Sequence, residues 1–435
     1  MTPAEYKRRR RQLMGMMGPD SIAILPTGRE QIRNRDVHYP FRPDSDFYYL
    51  TGFAEPDAVL VLVPGRAHGE YLLFCREKDP TKELWDGYRA GLEGATTDYG
   101  ADDAFPVTDL DDILPGLLEE RERVFFAMGT DPAFDKKVSD WVGQVRSRGR
   151  SGVNGPTEFL ALDHFLHDMR LYKSRSEVAT MRRAARLSAK AHTELMRRCE
   201  PGMYEYQLAS MFSHHCQIKG AAHLAYPSIV GGGNNACVLH YVENSAPLND
   251  GDLVLIDAGC EMDCYASDIT RTFPVNGRFS KPQQALYELV LEAQAAAIDK
   301  VRPGNHWNDP HQAAVRVLTK GLLKLGLLRG TLAKALKAQS YTKFYMHRTG
   351  HWLGMDVHDV GDYKVDGHWR VLEPGMVLTV EPGLYIPRGA KGVAKKWQGI
   401  GIRIEDDVLV TRGEPDVLSR DVPKSVAEIE AVMAA

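Results

Sequence analysis

The stretch LVLIDAGCEMDCYASDITRTF, Leu253 to Phe273, decides how this chain is read. Apolar residues run up to Asp257, a glycine follows at position 259, and a second run of β-forming residues, DITRTF, begins with Asp268. The pattern predicts two strands joined by a loop, with one carboxylate on each. An acid set among Val, Leu and Ile costs free energy unless its charge is compensated. A cation is the simplest compensation, and it predicts further ligands elsewhere in the chain.

From Tyr172 onward one order of elements recurs. Ser174 with Glu177 is a capping-box pattern. After it Val178, Met181, Ala185, Ser188, His192, Leu195 and Cys199 fall on one helical face, ending at Pro201-Gly202. A second helix around Tyr206 to Lys219 leads to GDLVLIDAG with Asp257 and the partner run with Asp268. Ser280 and Gln283 then cap a helix through Val301, and Pro303-Gly304 follows. Asp309-Pro310 opens another helix through Leu325. PGMVLTVEPGLY carries Glu381, and GIRIEDDVLV carries Glu405. The recurrence predicts two αβ halves related by a pseudo-twofold axis, with the four acids meeting at a shared sheet. In GIRIEDD, strand alternation puts Ile402 and Ile404 on one face and Arg403 and Glu405 on the other. Arg403 is then either the charge-balancing partner of a metal-binding acid or half of a surface ion pair.

The stretch MHRTGHWLGMDVHDVG places His347, His351 and His358 within twelve residues, a density that points to function. His240, in VGGGNNACVLHYVEN, is a fourth candidate. Its Gly231-Gly232-Gly233 run lacks the Lys-Ser/Thr of a phosphate loop and predicts close backbone approach instead. Four acids and one imidazole make an oxygen-rich ligand set whose charge balances two divalent cations. Such a set suits Mn2+, with Zn2+, Co2+ or Fe2+ as alternatives. Two cations roughly 3.5–4 Å apart can share a water and polarise a carbonyl, which implies hydrolysis of an amide or a related ester.

The first part of the chain alternates strand-like runs (SIAILP, AVLVLVPG, EYLLFC, RVFFAMG) with helical ones (LDDILPGLLEE, KKVSDWVGQV). This predicts an α/β layer. The stretch RNRDVHYPFRPDSDFYYLTGF, Arg33 to Phe53, is either a substrate-facing loop or a set of packed aromatics. The fold class is therefore α/β (α+β), with domains at 1–172 and 173–435.

With 435 residues, 43% hydrophobic and 26% charged, the composition is that of a globular chain. A net charge of -4 implies no general role on nucleic acid or anionic membranes. The basic EYKRRRR near the start reads as a solvated helix face, and the residues after it are too short and broken for a signal peptide. No run approaches the roughly 18 apolar residues of a membrane helix. Six scattered cysteines suit reduced thiols and a cytoplasmic location.

Asp257, Asp268, His351, Glu381 and Glu405 match, in order and local motif, the ligands of the pita-bread dimetal peptidases. The motifs DAG…SDITRTF, HWLGMDVHDVG, VEPGLY and GIRIEDD most resemble the aminopeptidase P branch of that family. The likeness extends through Arg33–Phe53, so it covers nearly the whole chain. It implies a creatinase/RNase H-like α/β domain, serving oligomerisation and cleft closure, ahead of a pita-bread catalytic domain. It implies two divalent ions per subunit, with Asp257 on one, His351 and Glu381 on the other, and Asp268 and Glu405 bridging. Glu381 would also move the proton of the attacking water. His240 would stabilise the tetrahedral centre, and His358 would bond the substrate near the scissile carbonyl. His347, Tyr226 and Trp85 would contact substrate, Trp85 coming from a neighbouring subunit of a homotetramer. Tyr385 and Arg403 would support the site. The run RSRGR, residues 146–150, contains the expected position of a further arginine, without a choice among its members. The implied substrates are peptides with proline at position 2. The alternatives are a prolidase limited to Xaa-Pro dipeptides and, more remotely, a non-catalytic peptide-binding module.

Overall fold

The computed structural model describes residues 1–435. In the first part of the chain the apolar runs become strands Ser21–Pro26, Val59–Leu62, Tyr71–Cys75 and Arg123–Phe126, joined by Asp103–Pro106 and Glu158–Ala161. Together they form one six-stranded sheet, ordered Asp103–Pro106, Tyr71–Cys75, Val59–Leu62, Ser21–Pro26, Arg123–Phe126, Glu158–Ala161. Ser21–Pro26 lies antiparallel to Val59–Leu62 and parallel to Arg123–Phe126, so the sheet is mixed. Helices Leu110–Leu118 and Pro132–Ser147 bury Leu114, Leu118, Val138 and Trp141 in the core that Ile22, Val61 and Val124 supply. The Arg33–Phe53 stretch divides. Ile32–Asn34 and Val37–His38 form an exposed hairpin, whereas Asp44 caps helix Ser45–Thr51 and the chain buries Phe47, Tyr49 and Phe53.

The chain separates into two units, Met1–Met169 and Arg170–Ala435. Arg170 and Lys173 belong to the second because both reach Asp359, at 2.6 and 2.8 Å, and all three side chains are buried there. A buried carboxylate between two cations ties the start of the unit to its middle.

In the second unit both predicted capping boxes form, Ser174/Glu177 on helix Arg175–Arg198 and Ser280/Gln283 on helix Lys281–Ile298. Met181, Ala185, His192 and Leu195 face the core, while Arg183, Arg186 and Lys190 face water. The recurring order of elements is present, with Glu205–Gln217 and Asp309–Lys324 as the second helix of each half.

The acids do not share one sheet. Ile229–Gly232, Leu253–Asp257 and Thr270–Pro274 form one three-stranded sheet. Val377–Val380, Asp406–Leu409 and Asp416–Val417 form another, and Gly383–Ile386 pairs with Ile400–Arg403 alone. Asp268 also lies ahead of its strand rather than on it, after a short hairpin of Cys260–Met262 with Tyr265–Ala266. Each of these carboxylates sits where a strand ends or breaks: Asp257 closes one, Glu381 follows Val380, and Glu405 falls between Arg403 and Asp406. A continuous ladder would send alternate side chains to opposite faces. At strand ends the backbone is free to turn, and carboxylates from separate strands can face one cavity. The sheets are stitched there by Glu405 N–H to the Thr270 carbonyl (3.1 Å) and by Thr272, which donates to the Arg403 carbonyl (3.0 Å).

Candidate metal centre

A cavity of about 270 Å³ is lined by Asp257, Asp268, Glu381, Glu405 and His351, with His240, His347, His358 and Arg403 on its walls. His351 Nε2 lies 3.3 Å from Asp268 Oδ2 and 3.8 Å from Glu381 Oε1. Ligand atoms of Asp268, His351 and Glu405 all fall within 4.8 Å of one another. The Nδ1 of His351 is 2.9 Å from the Trp352 carbonyl. A carbonyl only accepts, so Nδ1 carries a hydrogen and Nε2 is the nitrogen turned to the cavity, the one a metal would take in place of a proton.

The donor chemistry fits divalent cations. Burial pushes the Asp257 carboxyl up, and Glu381 up to about 7. Glu405 is driven well above the carboxylate range by burial and by its neighbours Asp268, Glu381 and Asp257. Burial disfavours charge on His351, yet Asp268 and Glu381 outweigh it and raise the ring to about 9. Carboxylates crowded this way call for either protons or cations. Arg403 answers one of them, donating from Nη2 to Asp257 Oδ2 at 2.6 Å.

The supporting bonds follow strand periodicity. Thr270 and Thr272 alternate onto one face of the strand that follows Asp268, and Thr270 donates to Glu405 Oε2 at 2.5 Å. Thr379, two residues before Glu381, accepts from His351 N–H at 3.1 Å and lies 3.5 Å from Glu381 Oε1. The Tyr226 hydroxyl spans the first two acids, 2.6 Å from Asp257 Oδ1 and 2.5 Å from Asp268 Oδ1. Motif glycines permit this crowding. A Cβ on Gly259 would lie 1.7 Å from the Ser267 carbonyl oxygen, and one on Gly350 would lie 2.0 Å from that of Thr379. Gly231 likewise packs on the Asn235–Ala236 backbone, the close approach its sequence predicts.

Arg403, Tyr385 and His347 form a directed chain beside the acids. His347 Nδ1 donates to the Arg348 carbonyl at 2.6 Å, so Nε2 accepts from the Tyr385 hydroxyl at 2.8 Å. The Tyr385 oxygen in turn accepts from Arg403 Nη1 at 3.1 Å. Burial lowers the His347 ring to about 3, so it is neutral near pH 7. Burial and the adjacent His351 also lower His358, whose ring centroid is 4.4 Å from that of His351. Arg403 is therefore a buried partner of Asp257 rather than half of a surface pair.

The structure brings Asp257, Asp268, His351, Glu381, Glu405, His240, His347, His358 and Arg403 to one cavity, with Tyr226 and Tyr385 bonded to its lining residues. Trp85 is not among the residues that line the cavity; it is 82% exposed on helix Pro80–Asp86. Sequence reasoning missed Thr270 and Thr379, although the alternation of DITRTF and LTVE contains the signal. It also missed Asp406 and Asp407, the other acids of GIRIEDD. Asp406 pairs with Arg271 at 2.7 Å, and Asp407 accepts the Asp268 N–H at 3.2 Å.

Known proteins carry the same plan. Residues 179–412 match metallopeptidase family M24, and residues 6–126 match the aminopeptidase P N-terminal domain. The chain belongs to metallopeptidase family M24. Its layout, an aminopeptidase P N-terminal domain ahead of a pita-bread domain, is that of aminopeptidase P. The Xaa-Pro aminopeptidase of Escherichia coli K12 is 43% identical over 432 residues, covering 99% of this chain and 98% of that protein. Human Xaa-Pro aminopeptidase 3 is 37% identical, covering 99% and 86%. The structure of Pseudomonas aeruginosa aminopeptidase PepP superposes with a TM-score of 0.99 at 61% identity, covering 100% of this chain and 98% of that one.

Proposed function

We propose that this chain is a metal-dependent aminopeptidase that hydrolyses the bond between an N-terminal residue and a following proline. The observation that carries this reading is the convergence of Asp257, Asp268, His351, Glu381 and Glu405 on one cavity walled by His240, His347 and His358. The relatives are Xaa-Pro aminopeptidases, and one neighbour is a variant of the Escherichia coli enzyme in complex with substrate.

The five side chains would hold two divalent cations, Mn2+ first, since four carboxylates balance a charge of +4. Cations held there supply Lewis acidity and an acidified water. Asp257 would serve one ion and His351 with Glu381 the other, while Asp268 and Glu405 would be shared. Glu381 Oε1 faces His351 and Thr379, which leaves Oε2 to take a proton from water and return it to the proline nitrogen as the C–N bond breaks. His240 and His358 donate to the oxygen that becomes negative when water adds to the carbonyl. His347, held in one tautomer, and Tyr226 shape the proline side, while Arg403 orients Asp257 and, with its contact to Tyr385, the His347 ring. An Xaa-Pro amide has no N–H, so a site that uses none loses nothing on it.

The exposed Leu84, Trp85 and Tyr88 support a homotetramer in which Trp85 closes a neighbour's cleft, and the expected domains, 1–172 and 173–435, divide within three residues of the boundary between the two units. Six free cysteines support a cytoplasmic location. No helix is long and apolar enough to cross a membrane.

The test is hydrolysis of Xaa-Pro-Yaa tripeptides and Xaa-Pro dipeptides by metal-stripped and Mn2+-loaded protein. Loaded protein is expected to release Xaa from tripeptides and stripped protein to be inactive. Cleavage of dipeptides alone would make it a prolidase, and cleavage of neither by protein holding metal would overturn the reading.

A further inference from the structure

We infer that Glu205 is the positioning residue for the loop that delivers His240 to the cavity. Glu205 opens helix Glu205–Gln217 and is completely buried. Its Oε1 accepts from Gly232 N–H at 2.8 Å and from Asn235 Nδ2 at 3.0 Å. Its Oε2 accepts from the Tyr241 hydroxyl at 2.8 Å and from Ala246 N–H at 2.9 Å. Its own N–H donates to the Ala246 carbonyl at 3.0 Å. One carboxylate thus gathers the segment from Gly232 to Ala246 at both ends and at Tyr241. Between the ends lie Leu239 and His240, both on the cavity wall. From Val238 to Ser245 this segment has neither helix nor strand, so no backbone ladder sets the His240 position. Asn244 adds a second tie, accepting from Val230 N–H at 2.9 Å and donating to the Ser228 carbonyl at 2.8 Å.

All four partners of Glu205 donate, and a carboxylate offers two accepting oxygens and no hydrogen. The ionised acid therefore satisfies every contact, and the N-terminus of the helix favours its charge. An amide in its place turns one oxygen into a donor facing two donors, so Glu205→Gln breaks one pair of contacts whichever way it rotates. Tyr241 is the link that matters most, because it adjoins His240.

The inference rests on the reading that His240 assists catalysis, and the experiment separates the two. E205Q, Y241F and H240A are compared in full-length, metal-loaded protein. The readouts are kcat and KM on an Xaa-Pro-Yaa peptide, metal content, and amide exchange of residues 232–246. E205Q is expected to lower kcat about tenfold per metal-loaded site, with metal content unchanged and faster exchange confined to that segment. Y241F is expected to lower kcat by a few-fold. A merely structural role would lower the folded fraction while leaving kcat per loaded site alone. If H240A is impaired and E205Q keeps kcat within twofold, the Glu205 inference falls by itself. If H240A is fully active, the reading of His240 falls, and exchange decides Glu205: protection of residues 232–246 equal to wild type in E205Q would overturn it.

Discussion

Asp406→Asn tests how the second unit is held together beneath the metal site. Asp406 is fully buried and accepts from Arg271 and Lys424 at 2.7 Å each, from Ser419 at 2.7 Å and from Gln294 at 2.9 Å. Burial alone would raise its carboxyl, but Arg271 and Lys424 outweigh it and hold it at about 2, below an ordinary 3.8. That difference corresponds to about 2–3 kcal/mol of stabilisation. Removing one partner of a buried ion pair typically costs about 3–5 kcal/mol. The lower end applies here. Arg271 keeps the carbonyls of Thr270, Glu405 and Pro423, and Lys424 is 31% exposed and can turn to water. D406N should therefore destabilise the unit by about 3 kcal/mol near pH 7. Equilibrium urea unfolding of metal-stripped protein measures it, since bound metal would add its own stabilisation. The folded carboxyl is depressed, so its contribution is fully present above the ordinary value of 3.8 and is lost as pH falls towards about 2. The gap between wild type and variant should shrink over that window. A loss below about 1 kcal/mol at neutral pH, or a gap that does not shrink between pH 5 and pH 2.5, would refute the argument.

Three further outcomes follow from the geometry. Gly350→Ala places a methyl group against the Thr379 carbonyl and displaces His351; metal content should fall, and kcat/KM by on the order of 10²-fold, by elemental analysis and steady-state kinetics. Tyr385→Phe removes the hydroxyl between Arg403 and His347; kcat should fall about tenfold, equal to ~1.4 kcal/mol, with metal content unchanged. Ser174→Ala loses the capping box of helix Arg175–Arg198 and should destabilise the metal-stripped protein by about 1 kcal/mol in urea, with kcat unaffected.

Much of the ligand set is legible because its signals are local. Asp257 ends an apolar run, Ser174 and Ser280 stand three residues before Glu177 and Gln283, and His351 lies between two glycines. Alternation in GIRIEDD correctly separates Ile402 from Arg403, since a strand sends successive side chains to opposite faces. The same rule read along DITRTF reaches Thr270 and Thr272. A single shared sheet was the natural expectation and is wrong, because the carboxylates lie at strand ends and in the break at Glu405. No local pattern fixes the break at Ile404-Glu405, because the next strand, Asp406–Leu409, opens on two further acids that suit a strand no better than Glu405 does.

The sequence by itself determines the helices, most strands, the family and the oxygen-rich donor set, since periodicity, capping and ligand chemistry act over a few neighbouring residues. Tertiary structure alone decides which groups meet. Arg403 finds Asp257, Arg271 finds Asp406, and Glu205 finds Gly232, Asn235, Tyr241 and Ala246. The His347 tautomer likewise follows from its bonds to Tyr385 and the Arg348 carbonyl. Such pairings depend on where the backbone path brings donors and acceptors within about 3 Å, and a buried polar group must find its partner there because no water reaches it.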